Sequence, residues 1–431
     1  MTNIEALKEL LRIPSVSTVH EGIEECAAKV KEFLDEAGFE TQIIPTKGHP
    51  VVYGEKKGRS DKTLMFYDHY DVQPPEPLDE WVTPPFEPDI RDNRLYARGV
   101  ADNKGNFMAR LEAVNQIDEL PITIKFVVEG EEEIGSPHLE EFVRENTSLL
   151  KADGCIWEAG YKDAAGRPTM FLGVKGLCYV EFKVEGANRD LHSASAVMVE
   201  NPVWRLIRAL TTLKDDKEKI LIKGFYDDVY LPDKEELDSV RTIPYDGDLT
   251  KRMLGIDKFL LDMSDEEAVH RLLYAPSCNI CGIDGGYTGK GSKTVLPSKA
   301  MAKVDFRLVP DQNPHKIFEL LRTHLDVYGF SDIEIESMGP LWPAKTSFKE
   351  EFVTVAKESM DKVHNQNTIV YPSMSGSGPM WLFTNVLGIP TVSLGVGDAE
   401  SRVHSPNESI NLTDYEEGIQ VVKEIIKRVQ E

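Results

Sequence analysis

The chain has 431 residues, 41% of them hydrophobic and 28% charged, enough length and apolar content for two domains with sizeable cores, so disorder along the whole chain is excluded. Its 73 acidic residues against 49 basic ones leave a formal charge of -24, which repels nucleic acid and anionic membrane surfaces. No apolar run approaches the roughly 20 residues that cross a bilayer.

The N-terminal stretch MTNIEALKELLRIPSVST is helically periodic and lacks the basic and apolar regions of a signal peptide. Cys26, Cys155, Cys178, Cys278 and Cys281 are too few for a disulfide framework, so a soluble cytoplasmic protein is expected. In chain order, helices are predicted over residues 4–11 and 22–37. Apolar runs at 63–67, 122–128 and 154–157 read as buried strands, with a helical pattern over 106–117. Such alternation predicts an α/β fold, a mostly parallel mixed sheet with helices on both faces.

After Cys178 the pattern changes. Val180, Phe182 and Val184 alternate with Glu181 and Lys183, as in a half-exposed sheet, and a helix is predicted over 202–213. Residues 214–275, rich in Lys, Asp and Glu, read as a solvated insertion. A strand follows near 277–283, in which Cys278 and Cys281 read as packing residues, since no second CxxC accompanies them. Alternation returns at 300–308, then a helix over 314–325 and a strand near 333–337. Strand and helix alternation resumes near 348, with a buried strand at 390–394. A larger α/β domain of residues 1–177 and 342–431 is therefore expected, interrupted by a smaller α+β domain of residues 178–341.

Chemistry gathers where the buried strands end. His69 and Asp71 are two residues apart in an extended segment, so they share a side; a surface turn or a metal ligand with its orienting carboxylate would both account for them. Asp102 stands before the helix at 106, where capping competes with ligation. Glu129, Glu131, Glu132 and Glu133 crowd one strand end and must be either solvated or held together by cations. Glu158 closes the 154–157 strand, and His404 follows the 390–394 strand after a glycine-rich bend. In an open α/β sheet ligands bind beyond the carboxyl ends of the strands, and mixed His and carboxylate donors suit zinc, manganese or cobalt.

The ordered segments HYDVQP, GVADNKG, EGEEEIGS, a Glu after a strand, DLHS, TVLP, FRLVP and HSPNE resemble the dinuclear-zinc peptidase family that includes carnosinase-like dipeptidases, glutamate carboxypeptidase, acetylornithine deacetylase, succinyl-diaminopimelate desuccinylase and aminoacylase. The resemblance implies that Asp102 bridges two zinc ions, with His69 and Glu158 completing one site and Glu133 and His404 the other. It also implies that Asp71 orients His69, that Glu132 is the general base, and that His192 reaches the active site of a partner subunit in a homodimer to steady the oxyanion. Thr294, Arg307 and Ser377 would hold the substrate's free carboxylate, Arg307 by its planar fork. The implied substrate is a small peptide, or an N-acyl amino acid in the deacylase branch. HYDVQP, FRLVP and the insertion favour the dipeptidases, and the complete ligand set argues against a non-catalytic binding protein. One departure is Met374, close to where those dipeptidases carry a Glu able to meet a substrate amino group.

Overall fold

Leu64 and Phe66 alternate with Met65 and Tyr67 along the strand Thr63–His69, and all four are fully buried, which requires cover on both faces of the sheet. The computed structural model, which describes residues 3–430, supplies that cover. Leu64 and Phe66 join a core with the helices Ile4–Leu11, Ile23–Glu36, Lys104–Asn115, Glu351–His364 and Leu412–Arg428. Met65 and Tyr67 face the opposite core, with Leu139, Phe142, Trp381 and Phe383.

The eight-stranded sheet runs in the order Glu40–Ile44, Val51–Lys56, Thr123–Glu129, Thr63–His69, Gly154–Trp157, Thr391–Ser393, Thr169–Phe171, Ile369–Tyr371. Its centre, from Thr123–Glu129 to Thr391–Ser393, is parallel, so those strands end on one side of the sheet. At one edge Glu40–Ile44 and Val51–Lys56 pair antiparallel, a ribbon not predicted from sequence because Glu40–Ile44 is largely exposed and carries no apolar run.

A second, antiparallel sheet orders Ser277–Asp284, Lys299–Leu308, Gly176–Glu185 and Glu334–Ser337. Cys178, Val180, Phe182 and Val184 point to one side and pack with Ala302, Val304 and Phe306 beneath the helices Pro202–Leu210 and Pro314–Val327. Cys278 is buried and Cys281 exposed, and all five cysteines are free.

The stretch 214–275 is more than a solvated insertion. Asp233, Asp246 and Ser264 cap the helices Lys234–Val240, Gly247–Leu254 and Asp265–Tyr274. Val240, Ile243, Val269, Leu273 and Tyr274 form a small core that packs on Ile369 and Tyr371, at the far edge of the large sheet. Helical spacing among many charged residues conceals these few apolar positions in the sequence. Glu236 anchors the insertion: its oxygens accept from Tyr274 Oη at 2.8 Å, Tyr230 Oη at 2.8 Å and Lys345 Nζ at 2.6 and 2.7 Å. Tyr274→Phe removes one hydrogen bond to a buried carboxylate and is expected to destabilise the protein by about 1.5 kcal/mol, read from the midpoint of denaturant unfolding.

Candidate metal centre and active site

Four of the chemical segments leave the carboxyl ends of parallel strands and so meet at one crevice, and Asp102 joins them from the loop between Arg94–Tyr96 and the Lys104–Asn115 helix. His69 is the last residue of Thr63–His69, Glu158 directly follows Gly154–Trp157, and Glu132 and Glu133 lie in the turn after Thr123–Glu129. His404 comes from the loop after Thr391–Ser393, at a left-handed φ of 61° that few side chains adopt.

Asp102 stands at the middle. Its Oδ1 is 3.0 Å from His69 Nε2 and its Oδ2 is 3.0 Å from His404 Nε2. His404 Nε2 also lies 3.1 Å from Glu133 Oε2, and His69 Nε2 lies 3.5 Å from Glu158 Oε2. The capping alternative for Asp102 is not what forms: the residue before the Lys104–Asn115 helix is Asn103, and Asp102 turns its carboxylate to the two imidazoles.

The sequence assigns Asp71 to orienting His69, and the structure divides that task. The backbone carbonyl of Asp71 is 3.0 Å from His69 Nδ1, and its carboxylate is farther, at 3.4 Å. The carboxylate instead accepts the backbone N–H groups of Glu132 at 3.2 Å and Glu133 at 3.1 Å, fixing the acidic turn. The crowded acids separate in space: Glu129 accepts from Tyr67 and Ser136, Glu131 meets His138 at 2.7 Å, and Glu133 accepts from Gln73 at 2.9 Å. Among the described residues, no hydrogen bond or ion pair engages the carboxylate of Glu132, although it lies with His69 and Glu158 in a group whose donor atoms are within 4.8 Å of one another.

Electrostatics mark the crevice as a place for cations. Burial first, then Glu132, push the Glu158 carboxyl well above the usual range, and its buried Oε2 has no hydrogen-bond partner. Burial, with Glu133, Asp102 and Asp71 outweighing the opposing pull of His69, pushes Glu132 up to about 8. Burial acts in the same sense on Asp102, but hydrogen bonds with His404 and His69 overcome it and hold that carboxyl below its ordinary value. Hydrogen bonds to Asp102 and Glu133 lift His404 to about 10. Four carboxylates around two imidazoles are short of positive charge, and an acceptor left unpaired in such a place fits divalent ions.

Arg307, on the strand Lys299–Leu308, and Ser377, in the loop after Ile369–Tyr371, also meet: Arg307 Nη1 donates to Ser377 Oγ at 2.9 Å. The Ser377 loop borders the acidic turn, since a Cβ added to Gly378 would stand 3.7 Å from Glu132 Oε1. His192 and Thr294 lie apart from this crevice. His192 pairs with Val295 in a two-stranded ribbon that Thr294 directly precedes, and the Ser193 N–H donates to Thr294 O at 3.1 Å; both residues are exposed, and among the described residues no hydrogen bond or ion pair joins them to the candidate metal ligands.

Sequence reasoning missed Glu408. Fully buried, it accepts from Arg98 Nη1 at 2.7 Å, Gly99 N–H at 2.9 Å, Ala101 N–H at 2.9 Å and Asp102 N–H at 3.1 Å, tying the His404 loop to the Asp102 loop. An acid four residues after a candidate ligand, inside HSPNE, was the available signal.

A mixed histidine and carboxylate centre at the strand ends of an α/β sheet, with Arg307 and Ser377 meeting nearby, fits a metal-dependent hydrolase. Residues 65–428 match peptidase family M20/M25/M40, and the chain belongs to that family. It is 31% identical to a Cys-Gly metallodipeptidase of Candida albicans, over 96% of this chain and 92% of that protein. It is 30% identical to the beta-Ala-His dipeptidase of Homo sapiens, over 86% of this chain and 75% of that one. The crystal structure of an M20 family metallo-carboxypeptidase from Sulfolobus solfataricus superposes with a TM-score of 0.95 at 43% identity, covering 100% of both chains.

Proposed function

We propose that this protein hydrolyses the peptide bond of dipeptides and short peptides with a free C-terminal carboxylate, using two zinc ions for which manganese or cobalt can substitute. The observation that carries this reading is Asp102 between His69 and His404, with the unengaged carboxylate of Glu132 beside them. His69, Asp102 and Glu158 would hold one ion, and Asp102, Glu133 and His404 the other. When bound, such ions polarise the scissile carbonyl and acidify the attacking water.

Glu132 takes a proton from that water and delivers it to the leaving nitrogen. Asp71 keeps Glu132 and Glu133 in place through their N–H groups. Arg307 and Ser377 hold the substrate carboxylate, a task suited to their 2.9 Å contact. His192 and Thr294, exposed together on their ribbon, would complete the crevice of a second copy in a homodimer, where His192 steadies the oxyanion. Five unpaired cysteines support a cytoplasmic setting.

One observation favours a second reading, removal of N-acyl groups from amino acids: Met374 packs against an apolar core, so no carboxylate at that position meets a substrate amino group. The test is hydrolysis of dipeptides, N-acetyl amino acids and N-succinyl amino acids by zinc-loaded protein, beside protein stripped with a chelator. Dipeptide cleavage that vanishes on chelation is the expected result. Cleavage of acylated amino acids alone would transfer the assignment to the deacylases, and hydrolysis indifferent to chelation would refute the metal-dependent reading.

A further inference from the structure

Arg307, the residue expected to attract the substrate carboxylate, is already partnered. Its Nε donates to Asp305 Oδ2 at 3.2 Å, and Asp305 is buried, so the two charges largely cancel. An anion arriving at that pair meets hydrogen-bond donors but no net positive charge. The missing charge lies close by, on Lys175.

Lys175 is 6% exposed, and its ammonium makes a single hydrogen bond, to Ala275 O at 2.8 Å. Among the described residues no carboxylate forms an ion pair with it. An ammonium buried without a counter-ion is costly, and two of its three donors remain unused.

Strand register places it beside Arg307. Leu177 is the partner of Arg307, and Gly176 the partner of Leu308, in the antiparallel ladder. Lys175 directly precedes this strand, two residues before Leu177, which puts its backbone one diagonal step from Arg307. On the other side of the same strand Ser277 is the partner of Arg307, and Ala275 precedes it by two residues. The Lys175 side chain therefore crosses the end of the strand that carries Arg307. Its own N–H donates to Gly376 O at 2.9 Å, next to Ser377. Burial first, and then repulsion from Arg307, lower the Lys175 pKa to about 8, as expected for two cations close together.

We propose that Lys175 is a further specificity-determining residue of this site, supplying the uncompensated positive charge that draws the substrate's C-terminal carboxylate to Arg307 and Ser377. One carboxylate neutralises the excess charge of the Lys175, Arg307 and Asp305 group, so the pocket takes a peptide with a free C-terminus and discriminates against its uncharged amide. This rests on the carboxylate-anchoring reading above; it holds equally for a dipeptide or an N-acyl amino acid, since both end in the same group.

The experiment compares kcat and KM of zinc-loaded native protein, Lys175→Met and Lys175→Arg on one dipeptide and on its C-terminal amide. For Lys175→Met the dipeptide KM is expected to rise about tenfold or more, with kcat within about twofold and the amide nearly unaffected. Lys175→Arg is expected to restore most of the preference for the acid over the amide. Asp305→Asn provides the opposite sign and keeps the idea testable should Lys175→Met fold poorly: it adds net positive charge and should lower the dipeptide KM. An unchanged acid-to-amide preference in Lys175→Met, or a higher KM in Asp305→Asn, would overturn the assignment of charge to Lys175. If the native protein cleaves neither dipeptide nor N-acyl amino acid, the broader catalytic reading fails instead, and the two failures are distinct.

Discussion

Glu132→Ala is expected to lower kcat by about 100- to 10,000-fold on the best dipeptide, while bound zinc and the thermal midpoint stay near their native values. A base must offer free lone pairs to the attacking water, and Glu132 has them: no hydrogen bond or ion pair engages its carboxylate among the described residues, whereas Glu131 and Glu133 are held by His138 and by Gln73 and His404. Its backbone is nonetheless fixed, because the Asp71 carboxylate accepts its N–H. Removing the side chain is therefore expected to take away the proposed proton carrier without removing a support. Steady-state kinetics beside elemental analysis of bound metal make the check. A variant retaining a tenth of native turnover would place the base elsewhere, and one that loses its zinc would make Glu132 a ligand.

Glu408→Ala is expected to cost about 3–5 kcal/mol of stability, because it leaves a buried guanidinium without its counter-ion. Arg98 is 1% exposed, and its Nη1 is 2.7 Å from Glu408. The same carboxylate satisfies the N–H groups of Gly99, Ala101 and Asp102, so three backbone donors would be orphaned together. Burial raises the Glu408 pKa and Arg98 opposes that rise. The loop carrying Asp102 should loosen, so zinc affinity is expected to fall along with the denaturation midpoint. Glu408→Gln, which keeps an acceptor oxygen but discards the charge, should fall between the two. Unfolding by denaturant and competitive zinc titration separate these effects, and a Glu408→Ala variant of native stability would show that the Arg98 pair contributes nothing.

Much of the site was legible because its signals are local. His69, Glu133 and Glu158 stand within a few residues of an apolar run and His404 in the loop beyond one, and apolar runs of 4–8 residues at turn-bounded positions are the strongest strand signal a sequence carries. His69, Glu133, Glu158 and His404 could thus be set at strand ends, and the parallel order of those strands brings them to one crevice. Asp102 was ambiguous for a local reason as well, since an Asp before a helix satisfies the grammar of a cap as readily as that of a ligand.

What eluded the sequence depends on pairings across long separations. Glu408 reaches Arg98 over 310 positions. Lys175 reads as an ordinary strand-end lysine until register sets it beside Arg307. The insertion hid its core because a few apolar residues among many charges produce no periodicity strong enough to register. Strand and helix alternation and the ordered motifs by themselves determined the α/β class and the metallopeptidase family. Only the tertiary structure decided which carboxylates are engaged by neighbours, that Glu132 is not among them, and where an unpaired cation sits, because those properties arise from burial and cross-chain geometry that no local pattern encodes.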